Sequence, residues 1–454
     1  MTSAFNPRNI TISLSQERLV ATHIISAVAK VKVSSPLIAF TLLCFQCALL
    51  HPSFAHSRLS RMIRISLTPI NFFTMLSLSF QCISRPAEPS DMLKDMFTMS
   101  FMWFMAIKSL EWGFAKGSYY TRSLVQVNGV ERWEKVKGSD EAYKKLQEAE
   151  PCNVFKLASW TLLQVTSFRG LQFTYGPAIA ANNQSTFELL WRMFRVNTCL
   201  SIALSFLVLT RDASLGTPKS ALLSLGVPNF PGLNLLSETL YTACFGIWVA
   251  CSVDNMFNSL TLLATCAHKI AISLNCPQDI LELCDPKYFP SAFDSPHKSS
   301  SIAHFWGKGW HTILQRMFLI SGGLPIAWLV KRLGASHRVV RLAGMFGVFA
   351  SSAFLHEYGA LRTAQRVNPN LDLSTWVPGS IIYFMLQPLA ILVEPFVIPL
   401  IPQRLGGGRL WVWTFGLLAA FPFRDQFLVG MRIHQDVPPL EKWSMIYMLK
   451  PVKM

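Results

Sequence analysis

Charge is scarce in this chain. Only 15% of its 454 residues are Asp, Glu, Lys or Arg, against roughly 25% in an ordinary soluble domain. Apolar residues make up 51%. That balance excludes a disordered chain and a charged coiled coil, and it argues against a typical soluble enzyme. Several catalytic signatures are missing as well. G-x-x-x-x-G-K-[ST], G-x-S-x-G and H-E-x-x-H do not occur, and His356-Glu357 has no second histidine at zincin spacing. Gly406-Gly407-Gly408 has no strand before it, so it reads as a turn and not as a dinucleotide loop. The ten cysteines are scattered, most in apolar runs such as those holding Cys44, Cys199, Cys244 and Cys251. They read as small buried hydrophobes and imply no disulfide framework. The one C-x-x-C, Cys44 to Cys47, has no second pair, so no metal site is expected.

What the chain does have is long apolar runs with bases between them. The strongest cover 36–50, 67–83, 96–107, 196–209, 235–253, 256–273, 313–330, 342–355, 376–401 and 410–423, with a weaker one at 158–168. Several fall short of the ~20 residues of a simple span, which leaves room for tilted or re-entrant segments. The expected fold is all-α: a polytopic membrane helical bundle of about eight to ten transmembrane helices. The net charge is +16. Its bases sit at the flanks of apolar runs, as at Lys331-Arg332, Arg338 and Arg341, where they meet lipid phosphates; no solvated basic face suggests a nucleic-acid partner. The expected partner is the lipid bilayer. The N-terminus lacks the pattern of a cleaved signal peptide, so the first span is expected to act as the insertion signal. The expected divisions are a polar segment at 1–35, N-terminal membrane helices at 36–121, a soluble loop with a short helix at 122–151, a membrane core at 152–430 and a tail at 431–454. Within the core, 275–310 reads as a second aqueous segment.

Ionisable groups inside apolar runs are costly, so each is a functional candidate. They are Glu238, Asp254, His268, His356, Glu357 and Glu394. His356 stands out. Arg341 lies fifteen residues before it and Arg362 six after, or about 22 Å and 9 Å along a helix. The imidazole therefore belongs below the interface and off-centre. Ser352 sits one turn earlier, and Gly359 and Ala360 one turn later. That small-residue face admits either a ligand or a packed helix, and a histidine satisfied by a serine or a carbonyl is the structural alternative. Glu357 points about 100° away on a helix and is not automatically the partner of His356. Asn255 and Asn258 are candidates for pairing across helices.

A second constellation is Phe305-Trp306-Gly307-Lys308-Gly309-Trp310-His311, followed by Arg316. An aromatic belt at the membrane interface is the plain reading. The functional reading is a mouth: Lys308 and Arg316 meet phosphates, and Trp306 and Trp310 stack on a purine. The two constellations share a register. His311 lies 23 residues before Gly334, and His356 lies 22 after it. A helical hairpin turning at Gly334 places both histidines at similar depth, unless Gly322-Gly323-Leu324-Pro325 breaks the first helix.

These residues resemble a known family. Phe-Trp-Gly-x-x-Trp-His at 305–311, followed about 45 residues later by a membrane histidine, is similar to the wax synthase-like branch of the membrane-bound O-acyltransferases. Phe289-Pro290-Ser291-Ala292-Phe293-Asp294-Ser295-Pro296 resembles the segment leading into that motif, and Ser167-Phe168-Arg169-Gly170 an upstream element. Phe384-Met385-Leu386-Gln387 through Glu394, and Arg409-Leu410-Trp411, resemble later spans. The resemblance covers roughly 160–430. It implies helices around an internal chamber and transfer of an acyl group from acyl-CoA to a hydroxyl. No bound cofactor is implied; acetyl-CoA or a longer acyl-CoA is the cosubstrate, and a lipophilic alcohol the acceptor. By the same resemblance His356 is the base and His311 the second polar group. Trp306, Lys308, Trp310 and Arg316 are placed at the CoA side, and Ser352 and Glu357 near the substrate. Lys308-Gly309 and Ala353 depart from the residues common in the family. Members of the fungal metabolite acetyltransferase type suggest acetyl transfer to a terpenoid in the endoplasmic reticulum. A long-chain wax ester synthase and, outside this class, a proton-coupled transporter are the competing expectations.

Overall fold

The computed structural model describes residues 35–81, 92–122, 124–133, 152–210, 217–368 and 370–431. Residues 1–34 of the polar N-terminal segment, most of the loop at 122–151 and residues 432–454 of the expected tail lie outside the described residues. The described chain is mainly helical, with almost no sheet. α1 (Pro36–Ala48), α2 (Arg58–Gln81) and α3 (Met92–Phe114) form the N-terminal group. A hairpin of β1 (Val125–Val127) and β2 (Val130–Trp133) follows, then α4 (Val154–Thr166) and a two-residue β3 (Ile179–Ala180) that pairs with β2. The hairpin occupies the first part of the stretch expected as a loop with a short helix, and residues 134–151 of that stretch lie outside the described residues. Its turn is Asn128-Gly129, with φ of 52° and 78°, a pair suited to a two-residue reverse turn.

Then come α5 (Thr186–Leu209), α6 (Pro218–Ser224), α7 (Leu233–Ser273), α8 (Gln278–Cys284), α9 (Leu324–Arg332), α10 (His337–Val367), α11 (Gly379–Val397) and α12 (Gly408–Ala419). Among the described residues, four helices are long and apolar enough to cross a membrane: α5, α7, α10 and α11. The chain is thus a multi-pass helical membrane protein, with fewer such helices than the eight to ten expected. The 13 residues of α1 and 12 of α12 are too short for a simple span, and three further causes account for the rest of the difference. First, the runs at 235–253 and 256–273 are one helix of 41 residues. Asp254, which separates them, is held by Arg192 of α5 through paired bonds of 3.1 and 2.6 Å, so the charge needs no break in the helix. Second, the run at 313–330 is broken, as Gly322-Gly323-Leu324-Pro325 allowed. A four-residue turn of helix leads into a wide π-type turn at 319–323, and α9 starts with Pro325 in its first turn. Third, α2 and α3 have the length but carry Arg58, Arg61 and Arg64, or Lys94, Asp95, Lys108 and Glu111.

Polar groups join the helices where lipid offers no partner. Gln46 of α1 is fully buried and donates to the Arg64 and Ser109 carbonyls at 2.9 and 3.2 Å. Asn255 pairs with Asn197 of α5 at 3.0 Å, whereas Asn258 donates to Asp254 of its own helix at 3.4 Å. The π-turn lies against α10 so closely that a Cβ on Gly322 would fall 2.0 Å from the Gly347 carbonyl oxygen. This close packing fixes the hairpin that turns at Gly334 and carries the two histidines.

Candidate functional site

The approach to the site is a loop held from both sides. Arg169 donates to the Pro290 and Ser291 carbonyls at 2.6 and 3.0 Å, and Arg192 reaches the Ser291 hydroxyl at 2.6 Å. Glu394, buried on α11, accepts from the Ile302 and Ala303 amides at 2.5 and 3.0 Å. A carboxylate at the start of a helical segment satisfies amides that have no partner in the first turn. The segment it anchors runs from Ile302 through a π-turn at Phe305–Gly309. Trp310 then turns extended, with φ −76° and ψ 162°, and His311 follows.

These anchors set the aromatic wall. The Trp306 indole donates to Gln387 Oε1 at 2.9 Å. Its ring lies among Phe349, Tyr383 and Phe384. Phe305 stacks on Trp310 at 5.4 Å. Behind this wall is a cavity of about 360 Å³ bounded by α7, α10, α11, α12 and the 296–311 segment. Trp306, Trp310, His311 and His356 all line it. The two histidines, 45 residues apart in sequence, both line it although the first helix is broken at 319–323.

The imidazoles are differently placed. Nδ1 of His356 lies 2.8 Å from the Ser352 carbonyl oxygen one turn earlier. A carbonyl only accepts, so Nδ1 carries the hydrogen and Nε2 keeps the lone pair. His311 has a buried Nδ1 with no hydrogen-bond partner among the described residues. Burial, followed by the nearby charges of His356 and Arg169, pushes its pKa from the ordinary imidazole value down to about 3. His311 is therefore a neutral group with a spare polar atom, and an unpaired buried polar atom is costly unless something fills it.

Residues 289–384 match the family model of membrane bound O-acyl transferases. The segment similar to these O-acyltransferases holds the aromatic wall and both histidines, and the match supports a membrane-bound O-acyltransferase. No curated protein matches the chain.

Other residues singled out in the sequence lie elsewhere. Lys308 is exposed and does not line the cavity of the O-acyltransferase-like segment. Arg316 is ion-paired with Glu111 of α3, and its guanidinium lies 3.7 Å from the centre of the Tyr175 ring. It, too, is absent from the cavity wall. Ser352 is buried and contributes its carbonyl to His356. Glu357 accepts from the Trp376 indole at 2.6 Å and the Gln426 amide at 2.8 Å, so it ties α10 to the chain after α12. Glu238 pairs with Arg424 at 2.8 Å. His268 meets the Leu281 carbonyl at 3.1 Å and joins α7 to α8. Among the described residues no cluster of His, Cys, Asp or Glu has the makings of a metal site. Gln387, read from the sequence only within a resembling span and given no role, lines the cavity, as do Tyr383 and the small residues Ala243, Gly246 and Ala250 of α7, which were not singled out. A search for ionisable groups passes over a neutral amide. The spacing of 243, 246 and 250 on one helical face was the available signal for the others.

Proposed function

We propose that the protein transfers an acetyl group from acetyl-CoA to a hydroxyl of a lipophilic metabolite such as a terpenoid. The observation that carries this reading is the tautomer of His356: a basic Nε2 on a helix lining an apolar, aromatic-walled cavity, with a neutral His311 on the same wall. The acceptor hydroxyl gives its proton to Nε2 as its oxygen attacks the thioester carbonyl carbon. The tetrahedral intermediate then collapses, the C–S bond breaks, and the CoA sulfur takes the proton back from the imidazolium. The thioester is already activated, so no acyl-enzyme is needed. His311 is a donor for the developing oxyanion, a role worth about 2.7–4 kcal/mol per donor in other enzymes. Apolar walls limit loss of the thioester to water. Family resemblance, not any residue on the cavity wall, favours acetyl over a long chain, a terpenoid over an alkanol, and the endoplasmic reticulum as the membrane.

The test is to supply membranes bearing the protein with labelled acetyl-CoA or palmitoyl-CoA, each with terpenoid and long-chain alkanol acceptors. Acetylated terpenoid supports the proposal. A palmitoyl alkanol ester replaces it with wax ester synthesis. Flux into vesicles without any ester product overturns the acyltransferase reading.

A further inference from the structure

Glycine inside a helix is unfavourable by about 0.5–1 kcal/mol relative to alanine, so each one calls for a reason. At Gly322 and Gly347 the reason is backbone contact: a side chain on either would strike the other's carbonyl. Gly246 of α7 and Gly416 of α12 have no such reason. A Cβ built on either meets nothing within 4 Å, and neither has a positive φ. What the two share is the cavity, since both line it. Ile247 and Trp413, beside them on the same two helices, also line it and are 42% and 40% exposed. The cavity therefore reaches the apolar outer surface where α7 and α12 flank it, and both glycines lie next to that opening.

We propose that Gly246 and Gly416 set the acceptor specificity of this site: by carrying no side chain they leave room for a bulky, rigid, lipophilic alcohol to lie against α7 and α12 with its hydroxyl toward His356. This rests on the acyltransferase reading given above. The Cβ of a leucine at either position meets nothing within 4 Å, and leucine is the better helix former. Folding is therefore retained while the space is lost.

The test compares wild type, Gly246→Leu, Gly416→Leu and the control Gly246→Ala in membranes supplied with acetyl-CoA. The acceptors are a polycyclic terpenoid alcohol and 1-butanol. In each leucine variant the ratio of kcat/KM for the polycyclic alcohol to that for butanol falls by about tenfold or more, the range by which a pocket discriminates between ligands of different bulk. The alanine variant keeps the wild-type ratio. An unchanged ratio in the leucine variants overturns the proposal, whether both rates fall together or neither moves. Should wild type form no ester with either acceptor, the acyltransferase reading has failed. Retention of the radiolabelled polycyclic alcohol by purified protein in detergent then decides the role of the glycines. A loss of about tenfold in both leucine variants supports it, and equal retention overturns it.

Discussion

His356, the proposed base, is oriented by its own helix. The Ser352 carbonyl fixes the tautomer, so no carboxylate is needed to orient the ring, and Glu357 is engaged with Trp376 and Gln426 instead. His356→Ala is expected to lower turnover by about 10²–10⁴-fold, the usual contribution of a positioned acid–base group, with protein abundance in membranes unchanged. Ser352→Ala keeps the carbonyl and is expected to retain activity; a large loss there would show that the hydroxyl, and not the main chain, serves the site. His311→Ala is expected to cost about 10²–10³-fold in kcat, as for removal of an oxyanion donor. A second consequence concerns pH. The pKa of His311 is lowered in the folded protein, so the unfolded chain binds a proton that the folded one refuses. Stability from this group is present above the ordinary imidazole pKa and is lost as pH falls below it. The melting temperature in detergent is expected to drop between pH 7.5 and pH 5, and less steeply in His311→Gln.

Between elements, Arg316 and Glu394 show how the site is held. Arg316 was read from the sequence as a phosphate contact, and the fold engages it with Glu111 and Tyr175. Arg316→Met leaves the Glu111 carboxylate, only 7% exposed, with the Tyr119 hydroxyl at 2.9 Å but without its ion-pair partner; breaking such a pair typically costs about 3–5 kcal/mol. The double change Glu111→Leu with Arg316→Met is expected to recover most of that loss in a thermal melt. If Arg316 instead served the donor, the double variant would melt normally yet show a raised KM for acetyl-CoA. Parts of this arrangement were legible beforehand. The spacing of His311 and His356 about Gly334 pointed to similar depth only for an unbroken first helix, and the π-turn at 319–323 removes that condition, although both histidines line the cavity. The Gly-Gly-Leu-Pro break itself was visible. The pairing of Arg316 was not, because its partner lies 205 residues away on α3 and nothing local marks it. The continuity of α7 was hidden for the same reason: Asp254 looks like an interruption until Arg192, 62 residues distant, neutralises it. The Asn128-Gly129 turn was a local signal that the charge pattern around it obscured.

Across the whole molecule, the reach of α7 has a consequence for how the protein sits. Its 41 residues extend about 61 Å at 1.5 Å each, roughly twice the hydrocarbon thickness of a bilayer. Even inclined by 40° it spans about 47 Å. One end of this rod must stand in water, and the end that carries Lys269 and receives α8 through His268 is suited to it. A membrane-impermeant amine reagent applied to sealed microsomes is expected to modify Lys269 from one side only. Since α7 also borders the cavity, that single mark reports which compartment the long rod overlooks, and with it the sidedness of the entire bundle.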